Sequence, residues 1–374
     1  MDVQNSLANL RRQRGISAAS LASAVGVSRQ TVYAIESGSY VPNTSVALKL
    51  ARVLDVSVEQ LFTLEESAGT PLYTEIVELL SEERNMQPGQ ALQLCGVDGR
   101  VIAASPEPST WGLPQADAIL LGPCRNLKRI GKTKAGILKE DWNKSDRLLL
   151  AGCDPGASVL ARHLRRKNIE LVITYQNSSR ALELLKDGVI HVAGTHILDD
   201  KTGESNLPKI NKMFAKDSVA VVAFALWEEG IVVSPGNPKN IRSASDFVRR
   251  DVKIINREPG AGCRLLLDSL LHRLGLAGKD VKGYERLALG HLPAARQVHD
   301  KQADCCISTR AAARVFGLNF IPLATKRYDL VLHKTHLKLP QVEALIETLG
   351  RASLRRELEG FAGYDMKSAG DRLM

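Results

Sequence analysis

From about residue 148 onward, short apolar runs alternate with stretches of helical period, and this alternation limits the fold more than any other feature of the chain. RLLLAG (147–152) leads to DPGASVLARHLRRKN, IELVITY (169–175) to SSRALELLKDG, and VIHVAG (189–194) to THILDD. VKIINRE (252–258) leads to a helical stretch at 261–275, and ADCCIS (303–308) to TRAAARVFG. Strand followed by helix, repeated, predicts α/β layering around mostly parallel sheets. In such sheets ligands sit beyond the carboxyl ends of the strands. The corners at that end are GCDPGAS (152–158), YQNSS (175–179), AGTH (193–196) and NREPGAGCR (256–264). Each supplies small residues, backbone N–H groups and a short polar side chain at a helix start, which together suit an anion or a polar solute.

The glycine-rich corner raises the question of a nucleotide. A phosphate-binding Walker loop requires Lys-Ser/Thr after its last glycine, and GAGCRLLLD has none. The dinucleotide fingerprint requires a third glycine where this chain has Leu265. Cys153, Cys263 and His196 would form a thiol–imidazole pair or a soft metal site if the corners converged. No orienting partner is visible, so no catalytic residue, metal or cofactor is assigned. Gly152, Gly194, Gly260 and Gly262 also read as turn glycines. Arg257 and Arg264 are equally suited to an anion and to a neighbouring carboxylate.

The first sixty-odd residues differ in character. Five short helices are expected: VQNSLANLRRQRG with Val3, Leu7 and Leu10 at helical spacing, SAASLASAV, SRQTVYAIESG, NTSVALKLARVLD and SVEQLF. Ser17, Ser28, Asn43 or Thr44, and Ser57 are their N-caps, with stops at Gly15, Gly26 and Gly38. Two helices joined by a tight glycine-containing turn make a helix-turn-helix. Its core would come from Leu21, Ala22, Val25, Val27, Val32, Ile35, Leu48, Leu50, Ala51, Leu54, Leu61 and Phe62. The second helix presents Ser28, Arg29, Gln30, Thr31 and Tyr33 at its amino end or on a polar face, with Ser39 just past it. Such residues read base edges and phosphates. Arg11, Arg12 and Arg14 add a basic cluster for backbone attraction.

Between these regions TLEESAGTP (63–71) reads as a boundary, and LYTEIVELLSEER (72–84) as a connecting helix with Leu72, Ile76, Leu79 and Leu80 on one face. ALQLCGVDGRVIAAS reads as a hairpin across Val97–Arg100, and ADAILLG as a buried strand. RNLKRIGKTKAGILKEDWNKSDR reads as a solvated basic loop, or as a further nucleic-acid contact in which Trp142 is the one stacking aromatic. With a net charge of +9, the whole chain is moderately basic. None of the six cysteines, Cys95, Cys124, Cys153, Cys263, Cys305 and Cys306, forms a C-x-x-C pair, which points to a reducing compartment rather than a disulfide framework. The opening residues lack an apolar h-region, and the longest apolar run, VAVVAFALW (219–227), is too short for a bilayer. A cytoplasmic chain without membrane contact is expected.

Two resemblances sharpen this reading. LASAVGVSRQTVYAIESGSYVPNTSVALKLARVLDVSVEQLF, within residues 4–64, resembles the Cro-type helix-turn-helix family, also called the xenobiotic-response-element family. That implies a third helix in the major groove and binding as a dimer. The family's second helix commonly starts Thr-Gln; Ser17–Ala18 stand here, so a phosphate-contacting Gln is missing. Residues 148–366 are similar to the intracellular periplasmic-binding-protein-like domain found fused to helix-turn-helix modules or to molybdopterin-biosynthesis proteins, related to molybdate and tungstate solute-binding proteins. GCDPGAS, HVAGTHILDDKTGESN, EEGIVVSPGNPKNI, NREPGAGCRLLLD, GLNFIPLATKRYDLVL and GYD carry the similarity. It implies two lobes joined by hinge strands near VVAFALW and NFIPLA, with a ligand trapped between them. The implied lining is Cys153, Asp154, Ser158, Asn177, Ser178, Ser179, Thr195, His196, Asn256, Arg257, Gly260, Ala261, Gly262, Cys263 and Arg264. Oxyanion-binding relatives often place Ser and Thr in these loops, where this chain has Cys153, Ala261 and Cys263.

The expected molecule is multidomain: an all-α helix-turn-helix DNA-binding domain (1–65), a linker helix with a small β-containing segment (66–147), and an α/β two-lobed type II periplasmic-binding-protein-like domain (148–374). The expected function is a ligand-responsive regulator, a homodimer on double-stranded operator DNA. Its effector would be a small molecule or an oxyanion such as molybdate or tungstate. The alternatives are an enzyme using Cys153, Cys263 or His196, and a DNA-binding scaffold whose second domain has lost its ligand.

Overall fold

The computed structural model describes residues 3–64, 73–80, 86–106, 113–122, 130–143, 146–199 and 203–374. The chain divides into two compact units, residues 1–73 and 74–374.

In the first unit, strand β1 (Val3–Asn5) precedes helices α1 (Leu7–Gln13), α2 (Ala18–Val25), α3 (Arg29–Glu36), α4 (Thr44–Leu54) and α5 (Val58–Leu61), and strand β2 (Phe62–Leu64) pairs antiparallel with β1. Val3 therefore belongs to a strand and not to the first helix; the Asn5 side chain accepts from Leu7 N–H at 3.2 Å, so the helix begins later. Ser17, Ser28, Asn43 and Ser57 each cap a helix by accepting a backbone N–H, as their short oxygen-bearing side chains favour. Leu7, Leu21, Val25, Val32, Ile35, Leu50, Leu54 and Leu61 pack as one core. Leu48 is 56% exposed, because the buried face of α4 runs through Ala47, Leu50, Ala51 and Leu54, the i, i+3, i+4, i+7 stripe that position 48 misses.

The second unit opens with a closed five-stranded barrel of β3 (Thr74–Leu80), β4 (Ala91–Val97), β5 (Arg100–Ala104), β6 (Ala118–Leu120) and β7 (Ile130–Ile137), in the order β3-β5-β4-β6-β7. Residues 74–80 are thus a strand, where helical spacing suggests a connecting helix; Leu72 and residues 81–84 of that stretch lie outside the described residues. The spacing misled because Ile76 is 67% exposed, while Val77 and Leu79 point into the barrel and Leu80 into a neighbouring core. The expected hairpin is present, Val97 facing Arg100 across Asp98 and Gly99, both at positive φ, as a two-residue turn requires. Trp142 is buried in the barrel core, which removes it as a stacking platform. Part of the basic run before it lies outside the described residues.

Then follow β8 (Asp146–Gly152), α6 (Ala157–Arg165), β9 (Ile169–Tyr175), α7 (Ser178–Lys186), β10 (Val192–Thr195), α8 (Leu207–Met213) and β11 (Val219–Val233). The chain continues through β12 (Ile254–Arg257), α9 (Gly262–Arg273), β13 (Leu287–Ala288), α10 (His291–His299), β14 (Cys305–Thr309), α11 (Arg310–Val315) and β15 (Asn319–His333). It closes with α12 (Pro340–Leu349), α13 (Ala352–Gly360) and β16 (Tyr364–Asp365). Strand order is β13-β12-β14-β11-β15-β10-β8-β9, with β16 also against β11. One lobe is built on β8, β9 and β10, parallel where they pair; the other on β12, β13 and β14, also parallel. The two 15-residue strands β11 and β15 pair antiparallel through both lobes. Where they cross between lobes their register shifts, between Ala223 and Ala225 and between Glu229 and Gly230. Each lobe has apolar cores on both faces of its strands. Residues 370–374 return beside the first half of β11, with backbone bonds from Leu373 N to Val221 O and from Val221 N to Met374 O. Among the described residues no helix is long and apolar enough to cross a membrane.

Candidate functional site

In the first unit, α3 carries the polar face. Arg29, Gln30 and Tyr33 are exposed, and the Arg29 guanidinium donates to the Tyr33 hydroxyl at 2.9 Å and lies over its ring. Ser28 and Thr31 hydroxyls lie 2.8 Å apart while Ser28 caps the helix. Ser39 is exposed, its hydroxyl donating to Ala34 O. Arg14 is exposed and bonds Asp55 O. Arg11 differs from the rest: it is half-buried, donates to Glu36 at 2.6 Å and to Ile16 O at 3.0 Å, and so ties α1 to α3 from within.

In the second unit the corners converge where the long strands cross. Cys153 follows β8, Ser178 begins α7, His196 follows β10 and Cys263 lies in the first turn of α9; all four are buried. The Ser178 hydroxyl and the Cys153 thiol lie 3.0 and 3.5 Å from His196 Nδ1, and His196 N–H donates to Ser178 Oγ at 3.1 Å. Gly262 lets the His196 ring approach, since a Cβ there would overlap the ring. Asp154 is buried, its Oδ1 accepting from Gly156 N–H at 2.7 Å and from the Tyr364 hydroxyl at 2.5 Å. Arg257 is buried and forked onto Glu258, and Asn256 accepts from Arg257 N–H. Asn177 caps α7, and Gly260, at φ 87°, packs near it and Ser179. Ala261 stands buried at the N-cap of α9. Three expected lining residues point elsewhere. Ser158 is exposed and bonds Pro155 O. Thr195 donates to Asn206. Arg264 stacks on Tyr284 and bonds Arg257 O.

The strands and α10 add groups that corner reading missed. Glu229, at the β11 register shift, is fully buried, 3.0 Å from His196 Nε2 and 2.8 Å from Lys326 Nζ of β15. His291 at the start of α10 lies 3.7 Å from Cys263 Sγ and 3.4 Å from Ser308 Oγ. Trp227 packs edge-on against both His196 and His291. A partial signal exists for two of them: Glu229 in LWEEGIVV and Lys326 in LATKRYDLVL are charges, next to other charges, within strand-forming stretches, and a charge that is buried there survives only if paired.

Burial governs the electrostatics. It pushes the Cys153 and Cys263 thiols up and holds His196 and His291 down as neutral imidazoles. Burial raises Asp154 to about 6. It would raise Glu229 too, but Lys326 and His196 more than reverse that. Arg257 stays charged because Glu258 outweighs its desolvation. The two cations are thus each matched by a carboxylate. Cys153, His196 and His291 bring one donor atom each within 4.8 Å of one another, and so do Glu229, Cys263 and His291.

Residues 161–350 match the family model of the PBP superfamily domain, and residues 7–61 match a helix-turn-helix model. The uncharacterized protein YvgK of Bacillus subtilis (strain 168) is 33% identical over 224 residues, 60% of this chain and 72% of YvgK. The uncharacterized HTH-type transcriptional regulator YgzD of the same organism is 44% identical over 64 residues, 17% of this chain and 97% of YgzD. Among solved structures, the tungstate ABC transporter from Geobacter sulfurreducens aligns at 14% identity with a TM-score of 0.43, over 57% of this chain and 98% of that one.

Proposed function

Because the chain belongs to the PBP superfamily and carries a Cro-type helix-turn-helix domain ahead of it, we propose that it is a cytoplasmic, ligand-responsive transcription regulator. The helix-turn-helix unit reads operator DNA as a homodimer, α3 entering the major groove with Arg29, Gln30 and Tyr33. The two lobes enclose a small solute. The observation that carries this reading is the buried polar cluster where β11 and β15 cross: groups from both lobes meet there, and burying them costs free energy that a structural core would avoid. A solute bound better by closed lobes than by open ones shifts that equilibrium, and operator affinity with it.

The charge balance bears on the effector. Molybdate or tungstate would enter a cluster in which Arg257 and Lys326 are already paired with Glu258 and Glu229 and Asp154 is a further buried carboxyl. That balance disfavours a dianion, however many backbone donors remain. The test uses DNA selected from a random pool by the full chain. Operator affinity is then measured with and without each solute that raises the melting temperature or changes Trp227 fluorescence. Saturating solute should change affinity at least tenfold. Unchanged affinity for every solute that binds would sink the sensor role.

A second reading rests on the 3.5 Å approach of Cys153 to His196, the contact of a nucleophile with its base. It is weakened by burial, which keeps the thiol protonated. Cys153→Ser separates the two: an enzyme loses turnover, whereas a sensor shows only shifted solute affinity.

A further inference from the structure

We propose that the cluster binds one soft or borderline transition-metal ion, such as Zn(II), bridging the lobes through Cys153 and His196 of one and His291 of the other. The inference rests on the sensor reading for its regulatory meaning, though the site itself is argued from donors alone.

Cys153 Sγ and the His196 and His291 ring nitrogens are buried and mutually within 4.8 Å. Thiolate and imidazole select Zn(II) or Cu(I) over Mg(II) or Ca(II), which prefer oxygen. A tetrahedral ion with bonds of roughly 2.0–2.3 Å holds its donors closer than this, so the triple needs to contract by about an ångström. His291 Nε2 has no hydrogen-bond partner among the described residues, and its Nδ1 has only long contacts, 3.7 Å to Cys263 and 3.4 Å to Ser308. A buried ring this poorly satisfied is unusual, and a metal bond would satisfy it.

Charge favours a cation over an anion. Binding converts the Cys153 thiol to thiolate and releases its proton, so the ion's charge is partly met by its own ligand. The charges of Arg257 and Lys326 bear on the histidines of both triples, but the second, Glu229, Cys263 and His291, is the poorer site because its carboxylate is already held by the Lys326 ammonium at 2.8 Å. Because Cys153 and His196 follow β8 and β10 while His291 begins α10, the ion is fully ligated only when the lobes are closed.

The test takes the full chain, reduced, stripped with a chelator and desalted, and titrates it with Co(II) and Zn(II). The expected result is one ion per chain, proton release on binding, and a near-ultraviolet thiolate-to-Co(II) charge-transfer band. Cys153→Ser should abolish the band, and both Cys153→Ser and His291→Gln should weaken binding by more than about 100-fold, beyond the loss of an outer hydrogen-bond partner. Cys95→Ser, in the barrel, should keep both. X-ray absorption on the unmutated protein should show sulfur and nitrogen ligands, which holds the inference to account even if a variant fails to fold. No bound ion, an all-oxygen shell, or a band retained by Cys153→Ser but lost in Cys263→Ser would overturn it. If no ion binds yet another solute changes operator affinity, the metal is wrong and the sensor stands. If the ion binds as assigned and neither it nor any solute alters operator affinity, the metal site stands and the sensor reading falls.

Discussion

Two glycines fix where one aromatic ring goes. A Cβ at Gly152 or Gly194 would overlap the Tyr328 hydroxyl, so β8 and β10 accept the ring only because both positions lack side chains. Gly194→Ala should cost about 1–3 kcal/mol through overpacking, and Tyr328→Phe in the same chain should recover part of it; thermal melts of the single and double variants measure both. Arg11 makes a contrast with Arg29. Arg11→Met should lower the stability of the first unit, since it breaks the pairing with Glu36, and leave the salt slope of operator binding unchanged. Arg29→Ala should spare stability and reduce affinity or that slope by about one phosphate. At this scale the sequence revealed small residues at the corners, because turns demand them. It did not reveal that Arg11 is paired inward or that Ser158 faces solvent, since a helix's rotation about its axis is settled by packing.

At the scale of elements, caps were the most readable signals, because each acts within three residues of itself. Ser28→Ala should destabilise α3 by about 1 kcal/mol, which hydrogen exchange would register as roughly fivefold faster opening of residues 29–36. The strand at 74–80 was misread because its apolar residues are shared between two cores, which breaks the two-residue alternation. The hinge strands are implied by the family resemblance, near VVAFALW and NFIPLA, and their buried charges take on meaning only where β11 and β15 cross. Strand β8 also carries a titrating contact. Leu149 N–H donates to His191 Nδ1 at 3.0 Å, which requires a neutral ring. Burial, then the neighbouring His336, holds that ring down to about 4. The unfolded chain binds this proton nearer pH 6.5, so the stability His191 contributes is complete above pH 6.5 and is lost as pH falls through 4. The shift corresponds to about 3 kcal/mol. His191→Asn should flatten the dependence of melting temperature on pH across that window.

Over the whole molecule, the alternation of strands and helices is enough to expect α/β layering, and the two lobes follow only from the family resemblance; the barrel is not legible, because the β4–β5 hairpin and the β6 strand have local signatures but their closure has none. One consequence of the topology concerns the order in which the chain acquires its structure. The first lobe takes its early strands from β8, β9 and β10, yet its edge is completed by residues 370–374 lying along β11, and Tyr364 caps the buried Asp154. The second lobe is assembled from the intervening residues and needs neither. During synthesis the middle of the sequence can therefore finish first, while the lobe begun earlier waits, its apolar faces open, for residues 364–374 to arrive. Pairing at such long range is slow and exposed to aggregation. A chain released before residue 364 should be found with chaperones or in the insoluble fraction, with its second lobe already protected from protease.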